Sequence, residues 1–444
     1  MRAATQASTQ SSDSWQQALQ NRILLVVLSM IVLIPLLASP SNQAMQDLAI
    51  KAIQVVAALL AGLLIMRARL PQRIGDVVTF LGTGANLAVL LFFLASVVSL
   101  LLGPKDPPLF RLGLTELQRF LAGVLLYFAL AYHVRRSGHL TRISNELVYV
   151  AGLFSILGLS TLAVQATNEH AILFGDHQLF GGFLMLLLPM PLIAAVTEQE
   201  PKPKLVAQVC AVLTFVCLIM SGLRSAWFGA VAMLVALSLF SLIGSRTRDR
   251  VTTFKKHYIV PLLTLVACCA FVALQGDIGR TIRRRIYAGN KTLITRQLYW
   301  NAAEQLLVTR PVFGIGLGMF PLYQLPYSGE GRPASVVLQN RPALSEMAHN
   351  FWLQTAAEQG LVGVSLFAAI IATFLVAGLR RLRHLHGGIR RSLLLASLAG
   401  MVGFCIDAMS NPAWQYAQVS IFFWLLLGLG VAALRPRATI DSTD

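Results

Sequence analysis

Residues 87–103, LAVLLFFLASVVSLLLG, run for a full membrane crossing without one charged side chain, and similar stretches recur along the whole chain. No soluble core formed by 444 residues could hide them all. Only 12% of the residues are charged and 56% are hydrophobic, about half the charged fraction of an ordinary soluble domain. The chain therefore reads as an all-α polytopic membrane protein, each run being one transmembrane helix.

Twelve transmembrane helices are expected, near 23–38, 48–66, 77–103, 114–133, 145–165, 171–196, 204–222, 225–243, 258–275, 350–377, 392–409 and 417–434. Residues 1–22 and 435–444 form tails, 23–275 carry spans one to nine, and 350–434 carry the last three. Lys and Arg mark alternate connections: Arg67, Arg69 and Arg73; Arg135, Arg136 and Arg142; Lys202 and Lys204; Arg246 to Lys256; and Arg380 to Arg391. The opposite short loops, 39–47, 166–170 and 410–416, have none. The positive-inside rule then places both termini in the cytoplasm. The segment before the first span is Ser/Gln-rich and weakly charged, so no cleavable signal peptide is expected. The formal charge of +17 fits cytoplasmic loops and anionic lipid, and no basic soluble domain exists to bind nucleic acid. Cys210, Cys217, Cys268, Cys269 and Cys405 all sit in apolar runs and read as buried small hydrophobes, without disulfide or metal spacing.

Residues 276–349 are the one long connection, expected on the outer face. They hold nine basic residues, among them Arg280, Arg283, Arg284 and Arg285, against four acidic ones. Anionic headgroups or an anionic substrate would each explain the excess. Within it, 292–310 reads as a helix with Ile294, Leu298, Ala302 and Leu306 on one face, Thr292 as cap and Pro311 as stop. GIGLGMF (314–320) suggests close backbone packing, and 321–343 a flexible lid.

Polar groups near span ends gather at four places, and intramembrane polar residues are functional candidates by default. In SGLRSAWFGA (221–230), Arg224 sits in a tight turn and Ser225 is expected to cap the next helix, a seat for phosphate; a lipid-facing anchor is the bland alternative. On the loop helix, Arg296 shares a face with Trp300 and Glu304, placed to clamp an anion or to face headgroups. At the start of the tenth span, His349 and Asn350 precede Gln354 and Glu358, with Gly360 and Gly363 allowing tight helix contact. A histidine there can take a proton near neutral pH. Glu358 lies about 14 Å further along the helix, too far to share that proton, and reads as a buried packing residue. FGDHQLFGG (174–182) adds Asp176, His177 and Gln178, with Asp407 and Asn411 as weaker companions. No HExxH, cysteine cluster, Walker A or GxSxG is present, so metal ligation and a serine nucleophile have no support in the sequence.

In order and spacing, SGLRSAW, then Arg296 and Trp300, then RPVFGIGLGMF (310–320), then HNFWLQTAAEQGLVG (349–363) resemble the bacterial O-antigen ligase, O-antigen polymerase and protein O-oligosaccharyltransferase superfamily. The resemblance spans about residues 170–435. It implies a GT-C-type glycosyltransferase with twelve spans, a periplasmic loop over the active site, an undecaprenyl pyrophosphate-linked donor and no cofactor. Residue by residue, it implies that Arg224 and Arg296 hold the pyrophosphate, with Ser225 beside them, and that His349 is the base. Asp176, His177, Trp300, Asn350, Arg284 and Arg285 are further candidates for substrate contact. One long outer loop and a short tail favour the ligase, which joins O-antigen to lipid A-core, over the polymerase or the oligosaccharyltransferase. A lipid-linked glycan transporter is the rival of another class. It would need paired inverted halves, and no half-to-half similarity is found.

Overall fold

A computed structural model describes residues 84–134, 137–164, 177–243, 289–328 and 347–435, with parts of 18–63. Among the described residues the regular structure is entirely helical. The helices used below are α1 (Gly84–Leu102), α2 (Pro107–His133), α3 (Ser137–Val164), α4 (His177–Leu187), α5 (Pro189–Thr197), α6 (Pro201–Met220), α7 (Arg224–Ser241), α8 (Gly289–Thr309), α9 (Phe351–Leu382), α10 (Gly388–Asp407) and α11 (Ala417–Leu434). Among the described residues, eight helical segments are long and apolar enough to cross a membrane, with two shorter apolar helices, Gln20–Val32 and Val419–Leu434. The chain is a multi-pass membrane protein. Spans expected at 48–66 and 258–275 fall largely or wholly outside the described residues.

Prolines set several boundaries. Pro107 and Pro201 open α2 and α6, where a missing N–H costs nothing. Pro189 divides the expected sixth span into α4 and α5. Small residues then let helices touch. A Cβ on Gly229 of α7 would meet the Gly403 carbonyl of α10 at 2.8 Å, and one on Gly403 would meet the Gly229 carbonyl at 2.9 Å. Such backbone contact is how helices associate where lipid removes the hydrophobic drive. It brings the start of α7 beside the end of α10.

The bundle's centre is aromatic. Phe351 lies 4.7 Å from Phe367 and 4.6 Å from Trp414, centroid to centroid, and Phe404 lies 4.7 Å from Phe423. These rings join the starts of α9 and α11 to the end of α10. Buried Arg119 of α2 braces the same end: it donates to the Trp414 carbonyl at 3.2 Å and Gln415 Oε1 at 3.0 Å, and pairs with Glu116 at 2.5 Å.

The expected tenth span is not one continuous helix. Gly360 has φ 68° and ψ −170°, which breaks α9 after nine residues. Residues 311–316 fill the break. Ile315 N–H donates to the Ala357 carbonyl at 3.0 Å and Gly316 N–H to the Glu358 carbonyl at 3.1 Å. In return Leu361 N–H donates to Pro311 O at 2.8 Å and Val362 N–H to Val312 O at 3.2 Å. Backbone groups freed by a break inside a membrane protein need such partners. Gly360 and Gly314 are glycines for a steric reason as well. A Cβ on the first would lie 2.2 Å from Val312 O, and one on the second 2.3 Å from the Glu358 carbonyl. Gly360 therefore serves a loop, where a helix neighbour was expected. The close backbone packing expected of GIGLGMF is what the structure has.

Glu358 is buried and its carboxylate closes this junction, accepting from Gly318 N–H at 3.0 Å, Phe320 N–H at 3.3 Å and Gln354 Nε2 at 3.1 Å. Gln354 in turn accepts from Ala348 N–H at 3.1 Å. So the intramembrane carboxylate, expected as a packing residue, is a strut. It ties the Gly-rich loop to the backbone just before His349.

Candidate active site

Four separated segments meet at one end of the bundle. The first is the turn between α6 and α7. Gly222, at φ 72°, reverses the chain, and α7 starts at Arg224 with Leu223 as its N-cap. The expectation that Ser225 caps this helix is not met, because the helix begins one residue before it. The Ser225 hydroxyl is buried and turns toward the Asp407 carboxyl of α10, short of hydrogen-bond geometry. Arg224 therefore sits with the first N–H groups of α7, which have no intrahelical partners.

The second is α8. It starts at Gly289, so Thr292 lies inside the helix where a cap was expected. Its buried face is Tyr299, Ala302, Ala303 and Leu306, with Leu298 only half-buried, a rotation from the face expected. Arg296, one turn before Tyr299, shares that side. Its Nη1 donates to Ser410 Oγ at 2.5 Å, and its Nε is buried without a partner. Burial, together with the Arg224 charge nearby, pushes the Arg296 guanidinium below its ordinary pKa. The Arg224 charge is thus near enough to act on the Arg296 guanidinium. Among the described residues the one ion pair is Arg119 with Glu116, so neither is neutralised by a carboxylate at bonding distance. Trp300 is half-buried with an unpartnered Nε1, and Glu304 is exposed.

The third is the start of α9. Asn350 caps it, accepting from Leu353 N–H at 3.1 Å, and Phe351 N–H donates to the Ala408 carbonyl at 2.9 Å. Asn350 is thus the cap of α9 through its Oδ1. Buried His349 precedes it with φ 50°, the one positive φ outside glycine among the described residues. Such a conformation costs on the order of 1 kcal/mol and persists where the surroundings impose it. The Tyr299 ring centre lies 6.0 Å from the imidazole.

The fourth is the start of α4. Gln178 Oε1 lies 3.2 Å from His349 Nδ1, and the Gln178 carbonyl accepts from Asn411 Nδ2 at 3.5 Å. Asn411 also donates to Asp407 Oδ2 at 2.9 Å. The weaker companions of the sequence reading are thus its connectors. His177 opens α4, but its side chain, together with Asp176, Arg284 and Arg285, lies outside the described residues. Tyr299 and Ser410 were missed. Tyr299 was legible from its three-residue spacing after Arg296; a lone serine in an apolar turn gives no signal. Among the described residues no group of three or more His, Cys, Asp or Glu is arranged to hold a metal ion.

Guanidiniums without a carboxylate partner, one of them at a helix start, can hold a diphosphate, and a buried histidine can take a proton. Such a set of groups is chemically suited to transfer from an anionic leaving group. A family model described as O-antigen ligase matches residues 209–368, which include Arg224, Arg296, His349 and the 310–320 loop. The match supports the resemblance to the O-antigen ligase and polymerase superfamily. No curated protein matches the chain.

Proposed function

We propose that this chain is an O-antigen ligase of the GT-C type. It transfers O-antigen polysaccharide from undecaprenyl pyrophosphate to a sugar hydroxyl of lipid A-core. It works at the periplasmic face of the bacterial inner membrane, with both termini cytoplasmic and 276–349 over the site. The observation that supports this reading is Arg296, buried within reach of the Arg224 charge on the helix whose Tyr299 ring lies 6.0 Å from the His349 imidazole, the three residues coming from segments far apart in sequence.

The acceptor hydroxyl oxygen attacks the anomeric carbon as the bond from that carbon to the pyrophosphate oxygen breaks. The hydroxyl proton passes to His349. The charge that develops on the leaving pyrophosphate falls on the two guanidiniums, which are in place before the reaction and need no metal for the purpose. A single displacement inverts the anomeric configuration. Arg284 and Arg285 are proposed to meet the anionic acceptor, and Asp176, His177 and Trp300 to line the substrate path.

The test is transfer by purified protein from lipid-linked glycan to lipid A-core. Wild type is expected to form the joined product, and His349→Ala to lose it by a factor on the order of 10² or more. A His349→Ala protein that transfers at the wild-type rate would falsify the base assignment. Glycan chains that lengthen without joining lipid A-core would make the protein a polymerase. Movement of lipid-linked glycan across a vesicle with no new bond would make it a transporter.

A further inference from the structure

We infer that Gln178 is a positioning residue that fixes the tautomer of His349, keeping the proton on Nδ1 and leaving Nε2 as the atom that accepts the substrate proton. The inference rests on the proposed base role of His349 for its kinetic consequence, but not for the tautomer itself.

An amide oxygen carries no proton, so Gln178 Oε1, 3.2 Å from His349 Nδ1, can only accept. Nδ1 must then be the protonated nitrogen. In a neutral imidazole the other nitrogen, Nε2, bears the lone pair. A histidine that must take a proton from substrate works only if its other nitrogen is held by an acceptor.

Gln178 is itself held. It sits in the first turn of α4, and Asn411 Nδ2 donates to its carbonyl and to Asp407 Oδ2. The imidazole is fixed from its backbone too. His349 has φ 50°, Asn350 caps α9, and Gln354 holds Ala348 N–H. Sequence pattern drew attention to Asp176, His177 and Gln178 together; of the three, the uncharged Gln178 lies against the ring.

Among the described residues the charged and titratable groups nearby are Arg296 and Tyr299 of α8, Arg224 of α7, which acts on Arg296, and Asp407 of α10, with Asp176 and His177 adjoining Gln178 in sequence. Arg224 and Arg296 oppose a second positive charge on the ring. A neutral acceptor at Nδ1 lets the ring stay neutral, as a base must be before it acts. A carboxylate there would favour the imidazolium instead.

The first experiment needs no substrate. Nitrogen-15 spectra of histidine-labelled protein in bilayers, with the His349 signals assigned by their loss in His349→Ala, should show protonated Nδ1 and bare Nε2. Protonated Nε2 in the wild type overturns the inference, whatever the reaction proves to be. The second uses the transfer assay. In Gln178→Ala, kcat/KM should fall about tenfold to a hundredfold, part of the 10²–10⁴ a positioned base supplies. Gln178→Glu restores an acceptor, so it should recover most of that rate at high pH. Its acidic limb should stand roughly one pH unit or more above the wild type's. A structural role alone predicts no displaced limb and no recovery by Glu, and that result would also overturn the inference. Wild type that shows the expected tautomer but joins no glycan to lipid A-core leaves Gln178 in place and removes the ligase reading.

Discussion

The two ends of this bundle use arginine in opposite ways. At the end carrying the basic loops, Arg391 gives its guanidinium to four carbonyls: Leu382 at 3.2 Å, Leu385 at 2.7 Å, Ser241 at 3.0 Å and Ile243 at 2.8 Å. Arg390 likewise donates to Ala432 and Arg435 carbonyls. These are helix C-termini, where orphan carbonyls and the negative end of the dipole both favour a cation. At the other end, Arg296 has one side-chain partner, Ser410, and feels the charge of Arg224, which stands at the start of a helix, where the dipole favours an anion. An arginine at the first end completes the fold. At the second it is held against electrostatic preference, an arrangement that an arriving diphosphate would relieve.

That contrast can be broken by substitution. The largest effect expected is on chemistry. Arg224→Ala or Arg296→Ala should slow transfer by about 10²–10³, the usual cost of removing one preorganised donor to a developing charge. Thermal unfolding should show stability unchanged or raised, because two like charges have been separated. A lowered melting temperature with unchanged transfer would reverse the assignment of the two ends. Next, Arg391→Ala should cost roughly 2–4 kcal/mol in stability, since it leaves several buried carbonyls unpaired. The rate per folded molecule should stay as in wild type. Denaturant unfolding alongside the transfer assay separates the two.

Smaller effects belong to the junction between them. Gly360→Ala should destabilise by roughly 1–3 kcal/mol, from a side chain at positive φ and a Cβ driven against Val312 O. Glu358→Gln should cost less, about 1–2 kcal/mol, because one amide oxygen can still serve part of the work of the carboxylate. If Glu358→Gln slows transfer as much as Arg296→Ala does while the protein stays folded, then the carboxylate acts in the reaction and the strut description is incomplete.

The membrane class and most described helices were legible because lipid forces each span to be long, apolar and self-satisfied. Rarity of charge made Arg224, Arg296 and His349 candidates, and the resemblance to the O-antigen ligase and polymerase superfamily raised them above lipid-facing anchors. Other features could not be read. The break at Gly360 is invisible to hydropathy, since QGLVG is apolar on average, and only the returning loop makes a gap in the helix tolerable. On α8, Ala302 and Leu306 are buried as expected, but Tyr299 takes the place expected of the more apolar Leu298, its ring lying 6.0 Å from the imidazole. Ser225 was taken as a cap from its residue type, and the turn at Gly222 started the helix one residue earlier. Each miss lies where contact between distant segments overrode a local preference.

The junction at Gly360 also sets an order of assembly. Ser99 Oγ of α1 donates to the Glu358 carbonyl at 2.8 Å, and Ser96 Oγ to Gln359 Oε1 at 2.9 Å, across separations of 259 and 263 residues. At ribosomal speeds of about 5–20 residues per second, that distance is roughly 10–50 s of synthesis. Helix α1 is therefore laid into the bilayer before either cross-bundle partner exists, Ser96 Oγ having the Phe92 carbonyl of its own helix at 2.9 Å to bond meanwhile. The early spans must be held loosely, by the insertion machinery or by one another, until the tenth arrives. The loop at 310–316 can lock only after that.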